Sequence, residues 1–154
     1  MDVQAPLRRS SEHRLLCGGA VAGLLLLLAM GFLLKPDARG YGTHERLGFA
    51  PCMPMEVWNV PCPGCGVTTS VTHAVRGELA ASLRTQPFGL ALFIAVLVFA
   101  VWAFFVHLSG RDVWIQIRSV GRPRLYKWGG AICVLFVASW FYKLVAVRGW
   151  SWLG

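Results

Sequence analysis

The sequence places three of its five cysteines in one short stretch, and this cluster is its clearest feature for chemistry. Cys62 and Cys65 form a Cys-x-x-Cys pair around Pro63-Gly64, and Cys52 lies ten residues before the pair. A Pro-Gly turn brings both sulfurs to one side, which suits the binding of tetrahedral zinc or of an iron–sulfur iron. The same turn suits a redox-active dithiol. Both chemistries use the thiolate form of cysteine.

A metal centre is the first interpretation of this cluster, and zinc is the expected ion. Three thiolates leave a tetrahedral ion one ligand short. The fourth ligand would come from His73, His44, Glu56 or a water molecule, and His73 completes the expected metal set of Cys52, Cys62, Cys65 and His73. The second interpretation is a disulfide between Cys52 and one of the pair, which would pin a proline-rich loop in an oxidising compartment. A working redox dithiol and unmodified thiols are the remaining alternatives.

The segment that follows the cysteines has the spacing of an amphipathic helix. Apolar residues recur every three or four positions over 67–84, and Gly77 is a point where the helix can break. We expect Thr68 or Thr69 to cap its start and Arg76 and Arg84 to face lipid headgroups. Cys65 would then precede a positive helix end, which favours its thiolate.

The amino-acid composition indicates that the site belongs to a membrane protein. Hydrophobic residues make up 56% of the chain and charged residues only 14%, which argues against an ordinary soluble domain. Three apolar runs of about twenty residues are each long enough for a hydrocarbon core of roughly 30 Å. The net charge of +8 is scattered between apolar blocks, so we expect a lipid bilayer as partner and no nucleic acid.

The predicted fold is an all-α integral membrane protein with about three transmembrane helices and a membrane-surface amphipathic helix. Lys143 is expected to reach the headgroups from the end of the third span, and Cys17 and Cys133 to pack as small hydrophobes. In chain order the predicted parts are a basic tail (1–14), transmembrane helix 1 (15–34), a Pro/Gly/Cys loop (35–66), the amphipathic helix (67–84), transmembrane helix 2 (88–108), a basic loop (109–127), transmembrane helix 3 (128–147) and a C-terminal tail (148–154).

The basic residues give an orientation. With the N-terminus in the cytoplasm, eight basic residues lie inside and six outside, and the short loop at 109–127 is the more informative because short loops obey the positive-inside rule best. We therefore expect a multi-pass protein of a bacterial inner membrane, with the cysteine loop on the outer face.

The cysteine motif resembles that of a family of bacterial membrane proteins known as domain of unknown function 2752. The family pattern has an early cysteine, about nine residues, and then Pro-Cys-Pro-x-Cys-Gly-x-Thr-Arg, followed by Gly-Asp-Leu and Asn-Pro. Two positions depart from it, because Thr69 stands in place of Arg and Gln86 in place of Asn. The resemblance implies a small multi-span membrane protein with a cysteine motif and implies no reaction. The matching segments here are Cys52, Pro61–Thr68, Gly77-Glu78-Leu79 and Gln86-Pro87.

No nucleotide-binding loop, Ser-His-Asp arrangement or pair of acids at useful spacing is found in the sequence. We therefore expect a non-catalytic accessory subunit or assembly factor that contacts other membrane-protein subunits through the helix at 68–84. The alternative is a membrane thiol-disulfide oxidoreductase that uses Cys62 and Cys65, with Cys52 as the resolving thiol.

Overall fold

The computed structural model describes residues 10–148, without the side chains of residues 122 and 148. Regular secondary structure in this part of the chain is entirely helical, as predicted. The predicted tails lie partly outside the described residues. The helices are α1 (Ser11–Leu33), a 3₁₀ helix (Thr43–Leu47), α2 (Met53–Trp58), α3 (Val67–Val75), α4 (Leu79–Thr85), α5 (Pro87–Leu108), α6 (Val113–Ser119) and α7 (Arg122–Arg148).

Three of these helices are long and apolar enough to cross a membrane, which confirms the predicted number. They are α1, α5 and most of α7, from Pro123 to Val147. The third begins before the predicted position 128, because a proline in the first turn is compatible with a helix. The predicted basic loop also contains α6, which Asp112 caps by accepting from the N–H groups of Trp114 and Ile115.

Contacts between the helices define two opposite ends of the molecule. At one end the start of α1 meets the end of α5 and α6, where Ala103, Val106 and Val113 form a small buried core. At the other end the segment between α1 and α5 forms a cap, and the last turns of α7 reach it. The cysteine cap therefore lies at the end of the molecule opposite α6.

The predicted amphipathic helix is two helices, α3 and α4, with the break at Gly77, where φ is +79°. Val71 and Ala74 of α3 are buried, and the helix packs its apolar face against α1, α4 and α5. Glycine allows this close packing. A Cβ on Gly89 of α5 would lie 2.7 Å from the Ser70 side chain, and a Cβ on Gly31 of α1 would overlap Val75.

The predicted N-cap of this segment is wrong. Gly66, with φ at +89°, is the N-cap of α3, and neither Thr68 nor Thr69 caps it. Arg76 is exposed, and it donates to the carbonyl oxygens of Gly31 (2.9 Å) and Leu34 (2.9 Å) at the end of α1. The periodicity identified helical residues correctly but could not identify which surface would cover them.

Candidate metal centre

The three cysteines come together because two turns of the cap face each other. Cys52 is the N-cap of α2, and Cys62 and Cys65 lie in the turn that leads into α3. The N–H of Cys65 donates to the carbonyl of Cys62 at 2.9 Å, so the Pro-Gly turn has the tight form expected. The three Sγ atoms all lie within 4.8 Å of one another. This grouping fits the coordination of a single metal ion.

The three thiols differ in burial and acidity. Cys65 is only 3% exposed, and this burial, together with the neighbouring Cys62 and Cys52, raises the pKa of its thiol to about 12. Burial also raises the pKa of Cys62, and Cys52 adds to the increase. For Cys52, partial burial is outweighed by the amide of Met55 and the thiol of Cys62, which hold its pKa below the ordinary value.

The prediction that the helix end makes Cys65 the favoured thiolate is therefore wrong. Cys65 does precede α3, but desolvation outweighs the helix dipole when a charge is buried. Cys52, at the start of α2, ionises first. A bound cation would offset the burial penalty of the other two thiolates, because metal ligation deprotonates a thiol outright.

All five cysteines of the chain are free thiols in the structure. The disulfide alternative is therefore not the state described here. The predicted fourth ligand is also not in place, since Nδ1 of His73 pairs with Oε2 of Glu78. Glu56 is exposed on α2 and His44 lies on the 3₁₀ helix. Within residues 10–148, the group of donor atoms at this site consists of the three cysteines.

Helix α7 holds the cap through three side chains near its end. Trp140 Nε1 donates to the carbonyl of Pro61 (2.9 Å), and the Tyr142 hydroxyl donates to that of Arg84 (2.8 Å). Lys143 Nζ donates to the carbonyls of Gly40 (2.9 Å) and Thr85 (3.0 Å). The last span therefore fixes both the cysteine turn and the two segments beside it.

Lys143 is only 5% exposed, so it does not extend to headgroups as predicted. A Cβ on Gly66 would lie 3.2 Å from its Nζ, which places the ammonium beside the Cys65-Gly66 peptide. Among the described residues, the ion pairs join Arg39 to two acids and His73 to one, and none includes Lys143. Because a buried cation requires a compensating charge, the thiolates are the natural counter-charge.

Cys62 opens onto a groove of about 610 Å³ that is mainly apolar. Trp58 of α2 and Trp140 of α7 form two of its walls. Trp140 already donates its indole N–H to Pro61, so it presents its ring to the groove. The remaining walls are Pro54, Val60, Pro61 and Pro63.

The two departures from the family pattern are both buried in the cap. Thr69 shares a hydrogen bond of 2.8 Å with Thr43 of the 3₁₀ helix. Gln86 is fully buried, and its Nε2 lies 3.5 Å from the carbonyl of Pro63 in the cysteine turn. Both side chains therefore contribute to the packing of the cap.

A second group of donor atoms, missed by the sequence analysis, lies at the opposite end of the molecule. It consists of His13 and Cys17 on α1 and His107 on α5. The Val113 N–H donates to Nδ1 of His13 at 3.0 Å, so that nitrogen carries no proton. Nε2 must then carry it and donate to Nδ1 of His107, 3.1 Å away.

This hydrogen-bond pattern argues against a metal at the second group. A metal on Nε2 of His13 would require a proton on Nδ1, where the Val113 N–H already points. We therefore interpret the group as a hydrogen-bonded junction that joins α1, α5 and α6. The spacing of His13 and Cys17, four residues apart on one helix face, was the signal in the sequence, but their partner lies 94 residues away from His13.

Comparison with known proteins gives one match. The sequence model of the family described as "Protein of unknown function (DUF2752)" matches residues 52–100. The matched stretch begins at the first cysteine and ends within α5, so it includes the three cysteines, α2, α3 and α4. The resemblance inferred from the cysteine motif is thereby confirmed. No curated protein and no solved structure matches the chain.

Proposed function

We propose, with the family match as the premise, that the chain is a metal-binding membrane protein whose Cys52, Cys62 and Cys65 hold a zinc ion. It acts as a non-catalytic accessory subunit or assembly factor of a membrane complex. The observation that carries the proposal is the convergence of three thiols from two separate turns. Zinc fits such a set because it prefers thiolates in tetrahedral geometry.

The charge of the site supports a divalent ion. Three thiolates and a divalent cation leave one net negative charge, and the buried Lys143 ammonium would balance it. A monovalent ion would leave the buried site negative, which a low-dielectric environment disfavours. This argument favours zinc over cuprous copper.

An accessory role is supported by the exposed apolar surface of the cap. Met53, Val57 and Trp58 of α2 and Phe49 before it are each more than 60% exposed, with values of 72%, 63%, 68% and 65%. Exposed apolar side chains grouped in this way are typical of surfaces that contact a partner or a bilayer. Since α3 is buried, we propose α2 as the helix that meets other subunits.

The proposed location is a bacterial inner membrane. The N-terminus would be cytoplasmic and the cysteine cap on the outer face, because Arg111, Arg118 and Arg124 lie at the α6 end. Three apolar helices support a membrane location in general.

The test is metal content and free-thiol count on the detergent-purified full chain. We expect about one zinc per chain in the wild type, lost in the Cys62→Ser, Cys65→Ser variant, because a structural zinc needs its thiolates. Cys133→Ala is the matched control, since Cys133 is exposed on α7 outside the site. A wild-type protein that binds no metal under these conditions contradicts the proposal.

A thiol-disulfide oxidoreductase is the second candidate, and the exposure of Cys62 to the groove favours it. In this function the dithiol of Cys62 and Cys65 is oxidised to a disulfide, and the two electrons and two protons pass to an oxidised partner disulfide. The same purification tests this function. Two thiols that appear only after reduction, in protein without metal, would contradict the metal centre. Turnover of that disulfide with a dithiol or disulfide substrate would then distinguish this candidate from a structural disulfide.

A further inference from the structure

The metal centre of the proposed function has three protein ligands, and the number of ligands indicates what kind of site it is. Structural zinc sites are closed by four protein ligands, whereas sites with three keep an exchangeable position. Within residues 10–148 the donor group contains Cys52, Cys62 and Cys65 and no fourth residue. The fourth position must then be filled from outside this group.

The surroundings of the cysteines define the side from which a fourth ligand can reach the metal. Cys65 is 3% exposed, and the buried Lys143 ammonium lies beside the neighbouring Gly66, so this side of the group is closed to solvent. Cys62 lines the groove between Trp58 and Trp140. A ligand that reaches the metal from the groove therefore passes along walls that include two tryptophans.

The formal charge of the site and the apolar lining of the groove favour a neutral ligand. With a divalent ion, three thiolates and the Lys143 ammonium, the formal charge of the site sums to zero. An anionic ligand would add an unbalanced charge in apolar surroundings, which is unfavourable. A neutral imidazole adds no charge, binds zinc through nitrogen, and presents a flat ring to tryptophan.

We propose that the Cys52/Cys62/Cys65 centre is open, and that its fourth ligand is the neutral imidazole of a histidine from a partner protein, entering through the groove between Trp58 and Trp140. This inference rests on the proposed metal function. It assigns the site a partner chemistry, because the partner would complete the metal coordination directly.

The test uses the full chain in detergent, loaded with Co²⁺ in place of zinc, and follows the visible absorption of the cobalt. Titration with 4-methylimidazole, which mimics a histidine side chain, should shift the ligand-field bands in a saturable way. Azide, a small anion, should require about tenfold higher concentration because of its charge. No shift with 4-methylimidazole, or tighter binding of azide, would overturn the proposal.

Two tryptophan variants test the route of entry. Trp58→Ala should weaken 4-methylimidazole binding about tenfold, the upper range for loss of an aromatic contact, while the sulfur-to-cobalt absorption stays constant. Trp128→Ala, at the far end of α7, is the matched control because Trp128 is exposed and outside the groove. Equal binding in both variants would overturn the assigned route.

The outcomes separate the two proposals. If cobalt shows no sulfur-to-metal absorption in the wild type, the metal function itself fails. If cobalt binds through sulfur and remains insensitive to 4-methylimidazole, only the open position fails. Zinc X-ray absorption on native membranes, measured before and after washing, distinguishes a free small molecule from a partner's histidine. Washing would remove a free nitrogen ligand, whereas a histidine of a membrane-bound partner would stay on the zinc.

Discussion

At the scale of single residues, Lys143 connects the last span to the charge of the metal centre. Its Nζ lies beside the Cys65-Gly66 peptide and is held there by the carbonyls of Gly40 and Thr85. Backbone carbonyls orient an ammonium but do not neutralise it. In the proposed metal site the thiolates would supply the compensating charge, so the proposal predicts a measurable effect of Lys143 on metal binding.

We expect Lys143→Met to weaken zinc binding by about tenfold or more, because a charge several ångströms away at an effective dielectric constant near 20 contributes over 1 kcal/mol. Lys143→Arg, which keeps the charge, should recover part of the affinity. Competition with a chromophoric chelator measures both. Lys127→Met is the control, since Lys127 is exposed on the same helix. Unchanged zinc affinity in Lys143→Met would show that the lysine has a packing role alone.

The order in which the thiols ionise gives a second prediction. The pKa of Cys52 is lowered and that of Cys65 is raised to about 12, so Cys52 becomes a thiolate first as pH rises. In metal-free protein, alkylation between pH 7 and about 9 should therefore modify Cys52 before Cys65, since the thiolate is the nucleophile. Mass spectrometry of peptides after brief treatment measures the order. Preferential modification of Cys65 would contradict the prediction.

The residues of the site could be predicted from sequence only where they are close in the chain. Cys52, Cys62 and Cys65 lie close together in the sequence, and a turn with proline and glycine brings Cys62 and Cys65 together. Lys143 lies 103 residues from its partner Gly40, and nothing local indicates that contact. His73 was predicted as a ligand from its residue type, but a nearby Glu78 takes its ring.

At the scale of elements, the end of α1 depends on a side chain from another helix. The last turn of α1 contains no basic residue, and Arg76, just after α3, donates to the carbonyls of Gly31, Phe32 and Leu34. Helix C-termini leave such carbonyls without intrahelical partners. The arginine therefore both caps α1 and joins it to α3.

Arg76→Ala should destabilise the folded protein by about 1–2 kcal/mol, because it removes charged donors from carbonyls at a helix end. Thermal unfolding in detergent, at fixed detergent and metal concentration, measures the change. Arg84→Ala is the matched control, since Arg84 is exposed and only its backbone is bonded to Tyr142. Equal melting temperatures for the two variants would exclude the capping role.

Sequence predicted these elements better than their packing. The length of the hydrophobic runs alone identified α1, α5 and α7, because a helix needs about twenty apolar residues to cross a bilayer. The apolar stripe over 67–84 identified helix but was assigned to the membrane surface. The close approach of Gly31 to Val75 and of Gly89 to Ser70 explains the difference, since these contacts are possible only where a helix has no side chain.

At the scale of the whole molecule, α6 and the cysteine cap lie at opposite ends of three helices that are each long and apolar enough to cross a membrane. The hydrogen bonds from Val113 to His13 at one end and from Lys143 to Gly40 at the other support this arrangement. Orientation then depends on which side retains the basic residues. Arg111, Arg118, Arg124 and Lys127 all lie in or near α6 and the start of α7.

We expect the α6 side to be cytoplasmic, because short basic loops are retained inside. In a bacterial host, alkaline phosphatase fused behind the full chain should be active, since α7 returns to the side of the cap. The same enzyme fused after Ser119 should be inactive, because α6 precedes the last crossing. A fluorescent protein that folds only in the cytoplasm should give the opposite pattern at both positions. Activity at Ser119 with none at the C-terminus would reverse the orientation, and would place the metal centre and its partner on the cytoplasmic side.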